Sequence, residues 1–249
     1  MKLFILAAGV GSRLMPLTKD RPKSLIEFDD GTSILERQLK TAQATEGIEQ
    51  VQIITGYRSI QIEEKIQSLG LSNFASVVYN PFFRISNNLM SVWCALPHIN
   101  GEDFCISNGD NLYNENVFPQ VLEQTATKEG IFLTLNEKPS FDDDDMKVII
   151  EEGVIKRVHK KIAIEDTNAE SVGLAIVRGT DAQRNFKSIV ESIVKDEAYL
   201  DKFWLEIFNS FIDDGGSVDS VWVNKDDWRE MDFHPDIDII HQAIENKLF

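Results

Sequence analysis

A glycine-rich loop followed by a cluster of cations lies near the start of the chain. Leu6–Arg13 reads LAAGVGSR, and Lys19, Arg21 and Lys23 follow within ten residues of Arg13. Glycines let backbone N–H groups approach a polyphosphate without a Cβ in the way, and basic side chains neutralise its charge. The loop is therefore a candidate phosphate-binding site.

Two well-known phosphate-binding motifs do not fit this loop. A Walker A motif needs a Lys followed by Ser or Thr directly after its last glycine, whereas Ser12-Arg13 follows Gly11 here. A dinucleotide-binding fingerprint needs a third glycine where this chain has Leu14. From these residues alone, a tight turn without a ligand stays open as the alternative.

The elements that must position this loop alternate between apolar and amphipathic segments. Strands are predicted at 2–8, 50–55, 75–79, 103–107 and 131–136, and helices at 33–45, with Thr32 or Ser33 as N-cap, at 58–68 and at 88–96. The alternation predicts an α/β fold with a mostly parallel (mixed) central sheet flanked by helices. Ligands bind such sheets at the carboxyl ends of strands, where the loop and Asn108-Gly109-Asp110 both lie.

The second half of the chain is less regular. A hairpin at 147–152 and 154–159, strands at 171–177 and 217–223, one or two helices within 186–212 and a terminal helix at 236–248 are predicted. The acidic run at 141–146 is predicted to be a solvated loop. Because no Gly-, Ser- or Pro-rich linker separates the halves, we expect a single domain over 1–249.

Composition excludes several classes of function. The net charge of −16 disfavours nonspecific nucleic-acid binding, which needs Lys and Arg to neutralise phosphates. No apolar run approaches the roughly 20 residues of a membrane helix, and the first strand is too short for a signal peptide, so a cytoplasmic protein is expected. The two cysteines, Cys94 and Cys105, are expected to be buried small hydrophobes rather than a disulfide or metal site.

The loop and the residues after it resemble the signature of the nucleotidyltransferases that activate sugar phosphates and small phosphate esters. That signature, L-A-A-G-x-G-x-R followed by P-K, matches Leu6–Arg13 at every fixed position and then Pro22-Lys23. The resemblance implies a Rossmann-like (GT-A-like) nucleotidyltransferase fold. Residues 1–136 would then bind the nucleotide, and 137–249 would bind the acceptor.

The resemblance also implies roles for individual residues. The loop would wrap the β- and γ-phosphates of a nucleoside triphosphate, Arg13 would contact the leaving pyrophosphate and Lys23 the α-phosphate, where charge develops. The expected nucleotide-binding residues are Leu6, Ala7, Ala8, Gly9, Gly11, Ser12, Arg13, Lys23, Asn80, Asn87, Asn88 and Gly109; Lys23, Arg13 and Asp110 are the expected catalytic residues.

Two carboxylates are expected to hold Mg²⁺, which such transfers normally need. Asp110 matches the family's G-D element after a buried strand, and Asp232 matches the aspartate of a W-x-E-I-D element. Glu230 and Asp236 are predicted to be solvated or capping residues. His234 is predicted to be structural because Mg²⁺ prefers oxygen ligands.

The nucleotide and the acceptor are suggested by a branch of the family. The segments YNPFF at 79–83, SNNLMS at 86–91 and DDMKV at 144–148 look like the branch with the LicC-type phosphocholine cytidylyltransferases and related enzymes acting on 2-aminoethylphosphonate. This suggests CTP, with the amides of Asn80, Asn87 and Asn88 reading cytosine. A loop merely capped by these asparagines is the alternative.

The acceptor is expected to be a small phosphate or phosphonate, such as phosphocholine, 2-aminoethylphosphonate or glutamine phosphate. Lys147 and Lys160 are predicted to face its phosphate, with Lys138 on the surface instead. A cationic end would need aromatic faces and carboxylates; the candidates are Tyr113, Trp204, Trp222 and Trp228 with Glu170 and Glu206, of which Tyr113 and Glu170 are the predicted contacts.

Two other functions stay open. A sugar-1-phosphate nucleotidyltransferase would use UTP or dTTP, and the base preference distinguishes it. A catalytically silent, nucleotide-binding regulatory protein is disfavoured because Arg13, Lys23, Asp110 and Asp232 are all present. The sequence is compatible with either a monomer or a homodimer.

Overall fold

Nine of the eleven strands form one mixed sheet in the computed structural model, which describes residues 1–249. The strands are β1 (Lys2–Ala7), β2 (Gln50–Thr55), β3 (Ala75–Tyr79), β4 (Phe104–Asn108), β5 (Asn111–Tyr113), β6 (Gly130–Asn136), β7 (Lys147–Glu151), β8 (Val154–Val158), β9 (Ala169–Arg178), β10 (Val218–Trp222) and β11 (Trp228–Glu230). The helices are α1 (Ile34–Ala44), α2 (Ser59–Ser68), α3 (Leu89–Ala95), α4 (Val117–Gln124), α5 (Thr180–Ile193), α6 (Glu206–Asp213) and α7 (His234–Glu245).

The sheet runs in the order β3-β2-β1-β4-β9-β6-β10-β8-β7. The first four strands are parallel, so the carboxyl ends of β1 and β4 meet at one edge, with Leu6 opposite Asn108. β9 is antiparallel to both β4 and β6, and its first residues also pair with β7. β9 therefore joins strands from both halves of the chain and brings its residues 170–173 beside the end of β4.

Two large apolar clusters cover the two faces of the sheet. One contains Phe4, Phe104, Phe186 and Trp204 and packs α3, α5 and α6 against it. The other contains residues of α1, α2 and α4. Burial of these faces fixes the strand ends that surround the cleft described below, since apolar burial is the dominant favourable term in folding.

A separate two-stranded ribbon, β5 with β11, lies outside the main sheet. Trp228 pairs with Tyr113 and Glu230 with Asn111, and the backbone N–H of Met231 donates to the carbonyl of Asp110. Met231 itself is fully buried in a third, smaller cluster with residues of α7 and of the segment after the glycine-rich loop. This cluster anchors the acidic residues on either side of Met231.

Most of the predicted elements are confirmed within one to three residues, including Ser33 rather than Thr32 as the N-cap of α1, where its hydroxyl accepts from the N–H of Glu36. The predicted helical region 186–212 is two helices, and the first begins six residues earlier, at Thr180. Three elements were not predicted: β5, α4 and β11. No helix combines the length and the apolar character that crossing a bilayer requires.

We expect Met231→Ala to lower the free energy of unfolding by about 2–5 kcal/mol, because it leaves a cavity in the third cluster. Urea denaturation measures the change. Met15→Ala is the matched control, since Met15 is about half exposed and should change stability little. Equal stability of the two variants would contradict the anchoring role of Met231.

Candidate active site

A cleft of about 410 Å³ opens at the carboxyl ends of β1 and β4. Its walls come from both parts of the chain: the glycine-rich loop and the end of β4 on one side, and the first residues of β9 on the other. The predicted residues that line it are Leu6, Ala7, Ala8, Gly9, Gly11, Ser12, Arg13, Lys23, Asn80, Asn87, Asn88, Gly109, Asp110, Lys160, Glu170 and Asp232. One concave site thus contains 16 of the 18 residues predicted from sequence.

The packing of the protein requires glycine at position 11 of the loop but not at position 9. Gly11 has φ near +67°, and a Cβ there would lie 2.9 Å from the Cβ of Lys23, so the fold itself needs glycine to bring the loop against Lys23. A Cβ on Gly9 would meet no atom within 4 Å. The packing of the protein therefore does not require glycine at position 9, and the absence of a Cβ leaves this part of the loop backbone open to the cleft.

Lys23 lies between two carboxylates at the base of the loop. Its Nζ donates to Asp110 Oδ2 at 2.8 Å and to Asp232 Oδ1 at 2.6 Å, and Arg13 Nη1 donates to Asp232 Oδ2 at 2.6 Å. Burial opposes the charge on Lys23, but the two carboxylates outweigh it and hold the pKa of Lys23 above its ordinary value. Burial likewise opposes the charge on Asp232, and Lys23 and Arg13 outweigh it and lower the pKa of Asp232.

Glu230 is a third member of this carboxylate group; it is exposed, as predicted, but its place beside Asp110 and Asp232 was not predicted. Carboxylate oxygens of Asp110, Glu230 and Asp232 lie within 4.8 Å of one another. Glu230 has surface open to the cleft, but enclosure by protein, with the charges of Asp110 and Asp232, raises the pKa of Glu230 to about 8. Three hard oxygen ligands converging beside phosphate-binding cations fit a divalent cation such as Mg²⁺.

The other residues of this acidic segment behave as predicted. Asp236 caps α7, and its Oδ2 accepts from the backbone N–H groups of Asp232 and Phe233. His234 bonds the carbonyl of Met15 and is structural. Capping by Asp236 fixes the backbone that carries Asp232 into the cleft.

The three asparagines line the cleft, and the side chain of each makes at least one hydrogen bond within the protein. Asn80 bonds the hydroxyl of Ser91 and the N–H of Phe82. Asn87 donates to the carbonyl of Asp201, and Asn88 accepts from the N–H of Trp204. Asn80 therefore closes the loop of 79–91 on itself, and Asn87 and Asn88 hold it against the segment of 200–205, in agreement with the capped-loop alternative. Direct reading of a base by these residues stays a prediction.

A charged network lies at the far end of the cleft. Glu170 and Asp145 both pair with Lys138, at 3.4 and 2.5 Å. Burial and the charge of Asp145 raise the pKa of Glu170 to about 7 although Lys138 opposes this. Lys138 is thus a paired, partly exposed residue rather than a free surface cation. The run at 141–146 is a loop with Asp142, Asp143 and Asp144 exposed, as predicted, whereas Asp145 is buried.

Two predicted acceptor contacts do not reach the cleft. Lys147 is 1% exposed and donates to the carbonyl of Lys160 at 2.6 Å, because β7 pairs with both β8 and β9 and encloses it. Tyr113 is 3% exposed and donates to the carbonyl of Val172 at 3.1 Å from within the second apolar cluster. Both side chains are buried in the structure that surrounds the cleft, so the prediction that Lys147 and Tyr113 contact the acceptor was wrong.

The end of the cleft near β8 and α6 contains the predicted residue Lys160 and two residues that were not predicted there, Asp144 and Phe203. Lys160 bonds Asp144 at 2.7 Å and lies over the ring of Phe203, which is 42% exposed. The sequence does not distinguish Phe203 from the adjacent Trp204, and the fold exposes the first and buries the second. Of the other aromatic and acidic candidates, Trp228 lines the cleft, whereas Trp222 and Glu206 do not.

These features define a class of protein: an α/β fold whose strand ends present a glycine-rich loop, two cations and a carboxylate group in one cleft. Residues 2–145, more than half of the chain, match the family model described as nucleotidyl transferase. The protein belongs to this family of enzymes, and the resemblance seen in the sequence is confirmed.

Comparison with individual proteins agrees with this assignment. The chain is 28% identical over 212 residues to the 2-aminoethylphosphonate cytidylyltransferase of Lancefieldella rimae, covering 84% of this chain and 79% of that protein. It is 22% identical over 260 residues to the CTP:phosphoglutamine cytidylyltransferase of Campylobacter jejuni, covering 96% and 98%. The solved structure of the CTP:phosphocholine cytidylyltransferase from Streptococcus pneumoniae (LicC) superimposes with a TM-score of 0.79 at 19% identity, covering 98% of both chains, which shows the shared fold.

We expect Gly9→Ala to leave thermal stability unchanged but to weaken nucleoside triphosphate binding about 10-fold, because its Cβ points into open space that phosphates must occupy. Gly11→Ala should instead lower stability, since its Cβ collides with Lys23 and its φ is strained. Thermal unfolding and calorimetric titration with CTP measure the two effects. Unchanged nucleotide affinity in Gly9→Ala would show that the loop does not contact phosphates.

We expect Glu170→Gln to reduce the pH dependence of stability between pH 4.5 and 7. The folded protein raises the pKa of Glu170 from 4.5 to about 7, so the contribution of Glu170 to stability is present below pH 4.5 and is lost as the pH rises through 7. Urea denaturation across this range measures the slope. Glu165→Gln, on an exposed turn, is the control and should keep the wild-type slope; a wild-type slope in Glu170→Gln would contradict the shift.

Proposed function

We propose that the protein is a Mg²⁺-dependent cytidylyltransferase that transfers CMP from CTP to a small phosphate or phosphonate and releases pyrophosphate. The observation that carries the proposal is the convergence of the glycine-rich loop, Lys23 and Arg13 on the carboxylates of Asp110 and Asp232. The choice of CTP is supported by two relatives, from Lancefieldella rimae and Campylobacter jejuni, that are named as cytidylyltransferases.

The reaction needs positioning and charge neutralisation rather than a general base. An ionised oxygen of the acceptor attacks the α-phosphorus of CTP, a new P–O bond forms, and the bond to the bridging oxygen of the β-phosphate breaks as pyrophosphate leaves. The acceptor oxygen is already charged at pH 7, so no proton must be removed. Alignment of the two substrates in one cleft then accounts for much of the rate.

Each cation has a distinct task in this mechanism. Lys23, fixed by Asp110 and Asp232, would stabilise the charge that develops on the α-phosphoryl oxygens, and Arg13 would neutralise the departing pyrophosphate. Asp110 and Asp232, with Glu230 close by, would hold Mg²⁺, which when bound neutralises phosphate charge.

The acceptor is proposed to bind at the end of the cleft formed by residues 137–249. Lys160 would face its phosphate or phosphonate group, while Glu170, Asp144 and the ring of Phe203 offer charge and an aromatic face to a cationic end. Phosphocholine, 2-aminoethylphosphonate and glutamine phosphate all carry such an end. Residues 1–136 would supply the nucleotide side, and the reaction would take place in the cytoplasm.

Pyrophosphate release in the presence of Mg²⁺ tests the proposal. CTP, UTP, dTTP, ATP and GTP are each combined with phosphocholine, 2-aminoethylphosphonate, glutamine phosphate and glucose-1-phosphate. Release only with CTP and an amine-bearing acceptor supports the proposal and names the acceptor. Release with UTP or dTTP and glucose-1-phosphate would assign a sugar nucleotide instead.

We expect Asp110→Asn to abolish turnover with an intact fold, because the carboxylate is lost both as a metal ligand and as a partner of Lys23. Steady-state kinetics and circular dichroism measure the two properties. The control is Asp226→Asn, since Asp226 is exposed in the turn before β11 and does not line the cleft. Normal activity in Asp110→Asn would remove Asp110 from the mechanism.

We expect Lys23→Ala to lower kcat on the order of 10²-fold, as for the loss of one charge-stabilising donor in a transition state. The same kinetic assay separates kcat from KM. A rise in KM for CTP with kcat unchanged would show that Lys23 binds only ground-state phosphate.

A further inference from the structure

Asn108, at the end of β4, lines the cleft and has a side-chain N–H₂ group without a hydrogen-bond partner in the protein. Its Oδ1 accepts from the indole Nε1 of Trp204 at 2.8 Å, and its backbone carbonyl accepts from Gln38. Its Nδ2 makes no hydrogen bond within the protein. Because Trp204 occupies the oxygen, the amide cannot rotate without losing that bond, so the N–H₂ end is held in one direction.

Trp204 is itself fixed in place. Its side chain is almost fully buried in the first apolar cluster, and its backbone N–H donates to Asn88 Oδ1 at 2.8 Å. The orientation of the Asn108 amide is therefore set by a rigid, buried partner rather than by solvent.

An irregularity in β9 leaves room for this donor. Ser107 pairs with Leu174, so Gly173 lies opposite Asn108, and the register of β9 with β6 shifts at this point. Gly173 has φ near +64°, and a Cβ there would lie 2.4 Å from Asn108 Nδ2. Irregularities of this kind next to active sites re-aim side chains, and here any side chain at position 173 would displace the amide.

Asn108 lies where the two halves of the site meet. On one side, Leu6 at the start of the glycine-rich loop is its neighbour across β1, and on the other side is Gly173, next to the wall formed by Glu170 and Ser171. The acceptor oxygen and the α-phosphorus must come together between these two walls. A donor at this junction is within the part of the cleft where the acceptor's charged group must sit.

We propose that Asn108 Nδ2 donates a hydrogen bond to a phosphate or phosphonate oxygen of the acceptor and that Trp204 is the residue that positions it. This inference rests on the proposed function. A neutral amide suits the task because it orients a dianion without neutralising the oxygen that must attack. Asn108 would act beside Lys160, whose charge is partly offset by its ion pair with Asp144.

Two variants remove the donor in different ways. Asn108→Asp keeps an oxygen for Trp204 but replaces the N–H donor with an acceptor, and Asn108→Leu removes the donor without adding charge. Both should raise the acceptor KM about 10-fold or more, the loss expected for a hydrogen bond to a charged group, while KM for CTP changes less than about twofold. Trp204→Phe should raise the acceptor KM by a smaller factor with CTP binding unchanged.

The assay uses the full-length protein with CTP, Mg²⁺ and phosphocholine or 2-aminoethylphosphonate, and thermal unfolding verifies that each variant is folded. Asn246→Asp, on an exposed residue after α7, is the control and should keep wild-type constants. An unchanged acceptor KM in both Asn108 variants, or a rise confined to KM for CTP, would overturn the inference and leave the proposed function intact. Absence of turnover by the wild-type protein with every acceptor would instead overturn the proposed function, and the acceptor contact with it.

Discussion

The site depends on one electrostatic constraint: three carboxylates and two cations must share a partly enclosed space. Carboxylate oxygens of Asp110, Glu230 and Asp232 lie within 4.8 Å of one another, and such a group repels itself unless cations hold it. Lys23 and Arg13 provide that compensation. Separating a cation from its carboxylate in this enclosed space would leave a charge without compensation. The backbone must therefore hold these residues at ion-pairing distance.

Much of the scaffold serves this requirement. The β5–β11 ribbon sets Asp110 and Glu230 side by side, and the buried side chain of Met231 keeps β11 in place. The left-handed backbone of Gly11 brings the glycine-rich loop against Lys23. The main sheet then adds the second wall, because β9 runs between β4 and β6 and places residues 170–173 at the end of β4. Two substrates can therefore meet over one continuous sheet.

The local sequence was sufficient for features that depend on a single segment. The nine strands of the main sheet, the glycine-rich loop after β1 and the position of Asp110 after β4 could be predicted because each lies in or directly after one periodic element. The roles of Lys23 and Asp110 came from the family resemblance. The surroundings of four other residues could not be predicted, because they arise from pairing between distant strands: Glu230, Lys138, Lys147 and Tyr113. β5 and β11 have three residues each, which is too few for a periodic pattern to be recognised. These two strands nevertheless position the carboxylates of Asp110, Glu230 and Asp232. Asp232 was found only through the family resemblance.

A crystal structure of the protein with CTP and Mn²⁺ would test whether Asp110 and Asp232 hold a divalent cation beside the nucleotide. Anomalous scattering locates the metal independently of any activity assay. We expect an anomalous peak between the carboxylates of Asp110 and Asp232, with the triphosphate along residues 8–13 and Lys23 at the α-phosphate. Metal density away from these carboxylates, or a nucleotide bound outside this cleft, would contradict this expectation.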